Sequence, residues 1–237
     1  MQTRPKNAVR SLWLILTALF AAVVLLAGCS SSEKSNESLP DAATLLKESN
    51  TTTRALKSVH LELTVGGNFG NFPIKTLGGD LTQSPAVAAA GNAKLTFQGS
   101  DVDAKFVVAD ANLFVALAGD SFIDMGPAAD VYDISAILNP DKGLANVLAN
   151  FSDPKSESTE TINGIETVKV TGQVSAEAVN SIAPSIEAKA PAPGTAWIEK
   201  DGNHKLVQIK LEPTPGNTLQ MTLSDWDKPV TVTKPAV

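Results

Sequence analysis

The 237-residue chain is poor in the residues that usually carry chemistry: one cysteine, two histidines and one tyrosine, with aromatics at 5 %. A single thiol, Cys29, excludes any disulfide within the monomer. His60 and His204 sit in contexts that match no zinc motif, and G-x-S-x-G, the P-loop and G-x-G-x-x-G are all missing. No nucleotide-binding or zinc enzyme is announced, although a catalytic triad dispersed along the sequence stays open. Asp101 and Asp103 could pair for acid–base work, but carboxylates on strand edges are usually solvated. Cations are scarce too. With 19 Lys and Arg against 25 acidic residues and a net charge of −6, the chain lacks the basic face that nucleic acid requires. Long apolar runs are confined to the first thirty residues.

That N-terminal run sits in an ordered context. Arg4, Lys6 and Arg10 precede a stretch that is apolar from Leu12 to Ala27 apart from Thr17, the layout of an export signal. "LAGC", Leu26 to Cys29, resembles the bacterial lipobox, in which the cysteine sulfur receives a diacylglyceryl group and the chain is cut before it. The expected organisation is a lipoprotein signal peptide at 1–28, a polar tether at 29–40 ("SSSEKSNESLP" follows Cys29), and one domain at 41–237. Cys29 is the expected lipidation site, and its anchor would hold the domain on the outer side of the inner (plasma) membrane, facing the periplasm or cell envelope, with the cell wall or surface as a further location. One acyl chain binds a bilayer only marginally, and two or three hold it. Loss of the three basic residues would leave 16 against 25 and lower the net charge from −6 to −9.

Downstream, the periodicities are those of a sheet with a few helices. Asp41 is a good N-cap, and Leu45, Leu46, Ser49, Thr53 and Leu56 fall near one helical face. Val59, Leu61, Leu63 and Val65 then alternate with polar residues, the pattern of a strand buried on one face. "IKTLGGDLT" is a second strand. Three more follow, with Ala93, Leu95 and Phe97 on one face and Val102, Ala104, Phe106 and Val108 on another. "SFIDMG" is a short sixth.

Asp133 can cap a short helix closed by Pro140. Asp141 can cap another, with Leu144, Val147, Leu148 and Phe151 at i, i+3, i+4 and i+7. Asn163-Gly164 predicts a hairpin, and Ser175 a helix ending before Pro184. "SIEAKAPAPG" is expected to be a loop. Four final strands are expected around Trp197, Ile209, Met221, and Val230 with Val232. The sum is an α+β fold: a large curved antiparallel sheet of about ten strands, or half-barrel, wrapped over several helices.

Several long runs resemble the mycobacterial lipoproteins of the family that includes LprA, LprF and LppX. They are "DVYDISAILNPDKGLANVLANF", "TINGIETVKVTGQVSAEAVNSIAP", "RALKSVHLELTV", "KTLGGDLT", "GSDVDAKFVV" and "QMTLSDW", and together they span the mature chain. The resemblance implies a half-barrel that encloses an apolar cavity. It implies a non-enzymatic carrier of triacylated glycolipids, lipoarabinomannan and triacylglycerol from membrane to envelope, working beside a major-facilitator-type exporter with no cofactor or metal. It carries Cys29 over as the acylated residue and makes Ala93, Leu95, Phe97 and Val108 the candidate cavity residues. The residues alone leave open a scaffold or exporter accessory that binds no lipid.

Overall fold

The computed structural model describes residues 38–69, 73–117 and 119–237. Cys29, the apolar N-terminal run and most of the tether lie outside them. Leu39–Val237 form one compact unit, and among the described residues no helix is long and apolar enough to cross a membrane.

Helix α1 (Ala42–Ala55) begins where Asp41 accepts the Thr44 N–H at 2.8 Å and the Thr44 hydroxyl at 2.8 Å. Leu45 and Leu46 enter the core from this helix, together with Ser49 and Thr53, whose buried hydroxyl oxygens find no partner among the described residues.

Six strands follow as a meander: β1 (Ser58–Gly66), β2 (Ile74–Thr82), β3 (Ala88–Phe97), β4 (Ser100–Ala109), β5 (Asn112–Ala116) and β6 (Ile123–Pro127). Two short helices, α2 (Ser135–Leu138) and α3 (Leu144–Ala149), cross to the second half: β7 (Phe151–Ile162), β8 (Ile165–Val174), helix α4 (Ala176–Ile182), β9 (Ala192–Glu199), β10 (Leu206–Thr214) and β11 (Asn217–Ser224). All pair antiparallel in one open sheet of order β6-β5-β4-β3-β2-β1-β11-β10-β9-β8-β7. The first and last strands meet in its middle, so β6 and β7 form the two edges.

Register gives each face its character, because directly paired residues share a face. Val59, Leu61 and Leu63 pair with Leu81, Gly79 and Leu77 and, where the ladder reaches them, with Leu223 and Met221. This inner face joins Leu45, Leu46, Ile137, Leu144, Val147, Leu148, Val179 and Ile182 of the helices in one core. Gly79 and Gly91 sit opposite each other on it. A Cβ on Gly91 would lie 2.1 Å from the Gly78 carbonyl oxygen and 2.6 Å from the Gly79 Cα. Only glycine permits so close an approach of two backbones, and the approach tightens the curl of the sheet. Gly172 and Gly194 pair the same way across β8 and β9, and the Phe151 ring fills the room they leave.

Three segments differ from the sequence-based expectation. Asp141 does not cap α3. Asn139 takes the Asp141 and Lys142 N–H groups at 2.9 and 3.0 Å, and the Asp141 carboxylate meets Arg54 at 2.9 Å, so α3 starts after Gly143 and ends before Phe151, which opens β7. The "APAPG" stretch is partly strand: Ala192, Pro193 and Gly194 pair with β8. Proline is tolerated there because the β10 ladder stops at Gly194. Val230 and Val232 form no strand. Pro229, just before them, brings no N–H to a ladder. The tail instead crosses the outer face, where Lys234 reaches Asp110 at 3.4 Å and lies 5.5 Å above the Phe114 ring.

Candidate functional site

The helices cover the inner face unevenly. They pack against β7 and β9, and α1 lies along α3. Over β2–β5 the inner face stays half-buried at Leu77, Ala93, Leu95, Val102, Phe106, Leu113 and Val115. Alternation in β3 and β4 puts these small and aliphatic side chains in transverse rows, one of which runs Ala104, Ala93, Leu77, Leu63, Met221. No ionisable residue interrupts these positions. A partly covered apolar trough of this kind can take up alkyl chains, and it offers no group that could act as acid, base or nucleophile.

Of the sequence-based candidates, Ala93 and Leu95 lie on this trough. Val108 shares their face but is 2 % exposed within the packed core, so it forms the floor where the trough meets the helices. Phe97 closes β3 opposite Ser100; its side chain, like Cys29, lies outside the described residues. Leu77, Phe106 and Val115 complete the lining. Phe106 was visible in the alternation of its strand, whereas Leu77 and Val115 become neighbours only through cross-strand register.

A depression of about 500 Å³ opens on the opposite, outer face, lined by Thr76, Gly78, Asn92, Lys94, Asp103 and Lys105 and also by Ala93, Ala104, Ala116, Leu117 and Gly119. Its walls are ion pairs: Lys94 meets Asp103 at 2.8 Å, and Lys105 reaches Asp120. Beside it Lys75 and Asp101 lie 2.6 Å apart. Hydrogen bonding to Asp103 raises the Lys94 pKa, and Lys75 lowers that of Asp101. Exposed pairs of this sort contribute little to stability. The depression is open to solvent and walled by these ion pairs beside alanine and leucine side chains. Asp101 and Asp103 each take a lysine and do not face each other as an acid–base couple.

The histidines are also accounted for. His60 lies on the outer face with Nδ1 2.7 Å from Asp80. His204, in the β9–β10 turn, has Nδ1 3.0 Å from the Glu199 carbonyl and Nε2 3.3 Å from Glu48 of α1. Among the described residues no cluster of His, Cys, Asp or Glu could hold a metal ion.

An open antiparallel sheet curled over helices, with its apolar side inward, is the architecture of a class of envelope lipoproteins already solved. LprF from Mycobacterium bovis superposes with a TM-score of 0.76 at 29 % identity, covering 84 % of this chain and 98 % of LprF. Mycobacterium tuberculosis LppX gives 0.63 at 26 % identity, covering 81 % and 98 %. Residues 41–232 match the LppX_LprAFG lipoprotein family, and the chain belongs to that family. Among individual relatives it is 58 % identical over 239 residues, the full length of both chains, to the lipoarabinomannan carrier protein LprG of Mycolicibacterium smegmatis. It is 52 % identical to the protein of that name in Mycobacterium tuberculosis, over 94 % of each chain. The identity is 48 % to that of Mycobacterium leprae, over 96 % of this chain and 97 % of the relative.

Proposed function

We propose that the chain is a non-enzymatic, membrane-anchored carrier that shields the acyl tails of lipids on the inner face of its sheet. The half-buried apolar trough over β2–β5 is the observation that carries this reading. The relatives named lipoarabinomannan carrier protein point the same way. The proposed cargo is triacylated glycolipid, lipoarabinomannan among them, and triacylglycerol, moved from the inner membrane to the envelope beside a major-facilitator-type exporter. Cys29, acylated within "LAGC", is the proposed anchor, with residues 1–28 removed as the signal peptide. Ala93, Leu95 and Phe97 are the proposed tail contacts, above a floor that includes Val108.

The energetics suit exchange without a fuel. Moving a ~16-carbon tail from water into an apolar site is worth roughly 12 kcal/mol gross, at ~0.8 kcal/mol per methylene. Taken from a bilayer, the same tail trades hydrocarbon for hydrocarbon and the step is nearly neutral, so loading and release are both feasible. The test is organic extraction of the Cys29→Ser protein purified from a mycobacterial host, followed by mass spectrometry. Stoichiometric acylated lipid is expected. A lipid-free protein that still takes up no labelled lipid when offered it would overturn the reading in favour of a scaffold.

A further inference from the structure

The short edge strand β6 carries the usual devices that blunt an exposed edge, Asp124, Pro127 and a bulge, yet it also exposes large apolar side chains. Ile123 is 62 % exposed and Met125 55 %, while Leu117 just before the strand is 54 % and Val131 just after it 64 %. Two large apolar side chains thus stud the edge strand itself and two more lie within fifteen residues of sequence, and exposed apolar surface of this density marks a contact site. Register connects the edge to the interior. Ile123 pairs with Val115, Val115 with Phe106, Phe106 with Gly91, Gly91 with Gly79, and Gly79 with Leu61. Exposure falls along that row from Ile123, through half-buried Val115 and Phe106, to Leu61 at 3 %. The row is a continuous apolar track from solvent to core.

We infer that β6 is the rim that docks on the lipid bilayer and over which acyl tails enter the trough. This rests on the carrier reading above. A tail crossing a water gap would lose about 0.8 kcal/mol for every methylene exposed, and a rim pressed into the hydrocarbon removes that gap. The tether leaves the β6 rim free to dock. The Ser156 hydroxyl of β7, the other edge, donates to the Pro40 carbonyl at 2.7 Å. The chain therefore leaves the domain at one rim of the half-barrel and the apolar side chains stud the other. Nine residues lie between Cys29 and Leu39, a length that reaches at most about 35 Å when extended.

Charge narrows the surface. Residues 106–141 contain six aspartates and no lysine or arginine; Asp110, Asp120 and Asp141 pair with Lys234, Lys105 and Arg54, which leaves the charges of Asp124, Asp130 and Asp133. Such a rim is repelled by anionic headgroups within a Debye length of ~10 Å at 0.1 M salt. Docking is thus strongest on zwitterionic lipid, weakens as the anionic fraction rises, and recovers with added salt, the reverse of a polybasic anchor.

The chain's own cysteine usage makes the test clean, because acylation consumes Cys29 and leaves an introduced thiol unique. An environment-sensitive fluorophore is placed at Ile123→Cys or, as a control in the β9–β10 turn, at Asp201→Cys, in the lipoprotein reconstituted on phosphatidylcholine vesicles carrying bromolipid. Quenching at 123 and none at 201, reduced by phosphatidylglycerol and restored by salt, is the expected result. Equal quenching at both positions, or none at 123, overturns the inference, and none at 123 leaves a protein partner as the occupant of the rim. The Ile123→Asp, Met125→Asp variant keeps the readings distinct. It should extract lipid from vesicles at least about tenfold more slowly yet bind monomeric short-chain lipid as the parent does. Extraction at the parental rate removes the docking role and leaves the carrier standing, whereas loss of binding by both proteins removes the carrier itself.

Discussion

At Ala93 the trough is deep because a methyl group stands where a larger side chain would fill the row between Leu77 and Ala104. Ala93→Phe should weaken binding of a fluorescent acyl lipid at least about tenfold, the equivalent of the 1–3 kcal/mol typical of overpacking. Because the position is half-buried rather than sealed, thermal stability should change little. Gly91 is the opposite case. A Cβ there collides with the β2 backbone, so Gly91→Val should cost about 3 kcal/mol or more in urea unfolding. The two buried hydroxyls of α1 predict a gain. Thr53 Oγ1 is desolvated without a partner among the described residues, so Thr53→Val should be neutral or stabilise by up to about 1 kcal/mol in the same assay.

Among elements, α1 carries the clearest pH signal. Its start depends on the ionised Asp41 carboxylate, whose pKa is held below the ordinary 3.8 chiefly by the Thr44 N–H and then by the Thr44 hydroxyl. A depressed carboxylate contributes its stabilisation above the unfolded value and loses it as pH falls through the folded one. The Thr44 amide should therefore be protected from hydrogen exchange at neutral pH and lose protection, after correction for intrinsic rates, only below about pH 3.8. In Asp41→Asn, where the cap is uncharged, that pH dependence should vanish.

Most elements of this kind were legible in the sequence. The cap at Asp41, the period-2 run from Val59 to Val65, the Asn163-Gly164 turn and the stop at Pro184 are local signals, and local physics settles them. The errors came where a distant partner decides. Phe151 fits a helical i+7 position, but β8 recruits it to a strand through pairing with Val174. Val230 and Val232 alternate like a strand but pair with none. The inner face of β3 and β4 was visible as alternation. That it forms a trough was not, because the exposure of Leu77 or Val115 depends on where helices from another part of the chain come to rest.

For the whole molecule, a carrier with a half-covered apolar face is incomplete without cargo. A ligand that binds only the folded state stabilises it by about 2.7 kcal/mol at a hundredfold excess over Kd. Delipidated protein should accordingly unfold at lower temperature than the loaded form, and the midpoint should climb with added lipid; a midpoint indifferent to lipid would mean that nothing binds the native state.

The central claim is that tails lie on the inner face of the sheet and not in the charged depression outside it. Paramagnetic relaxation from a spin label placed along an acyl chain tests this directly, with the protein's methyl groups and lysine side chains as the readout. The account predicts strong broadening of the Leu77, Leu95, Val102 and Val115 methyls, with the Lys94 and Lys105 resonances unaffected. Broadening confined to those lysines, or spread evenly over both faces, would contradict it.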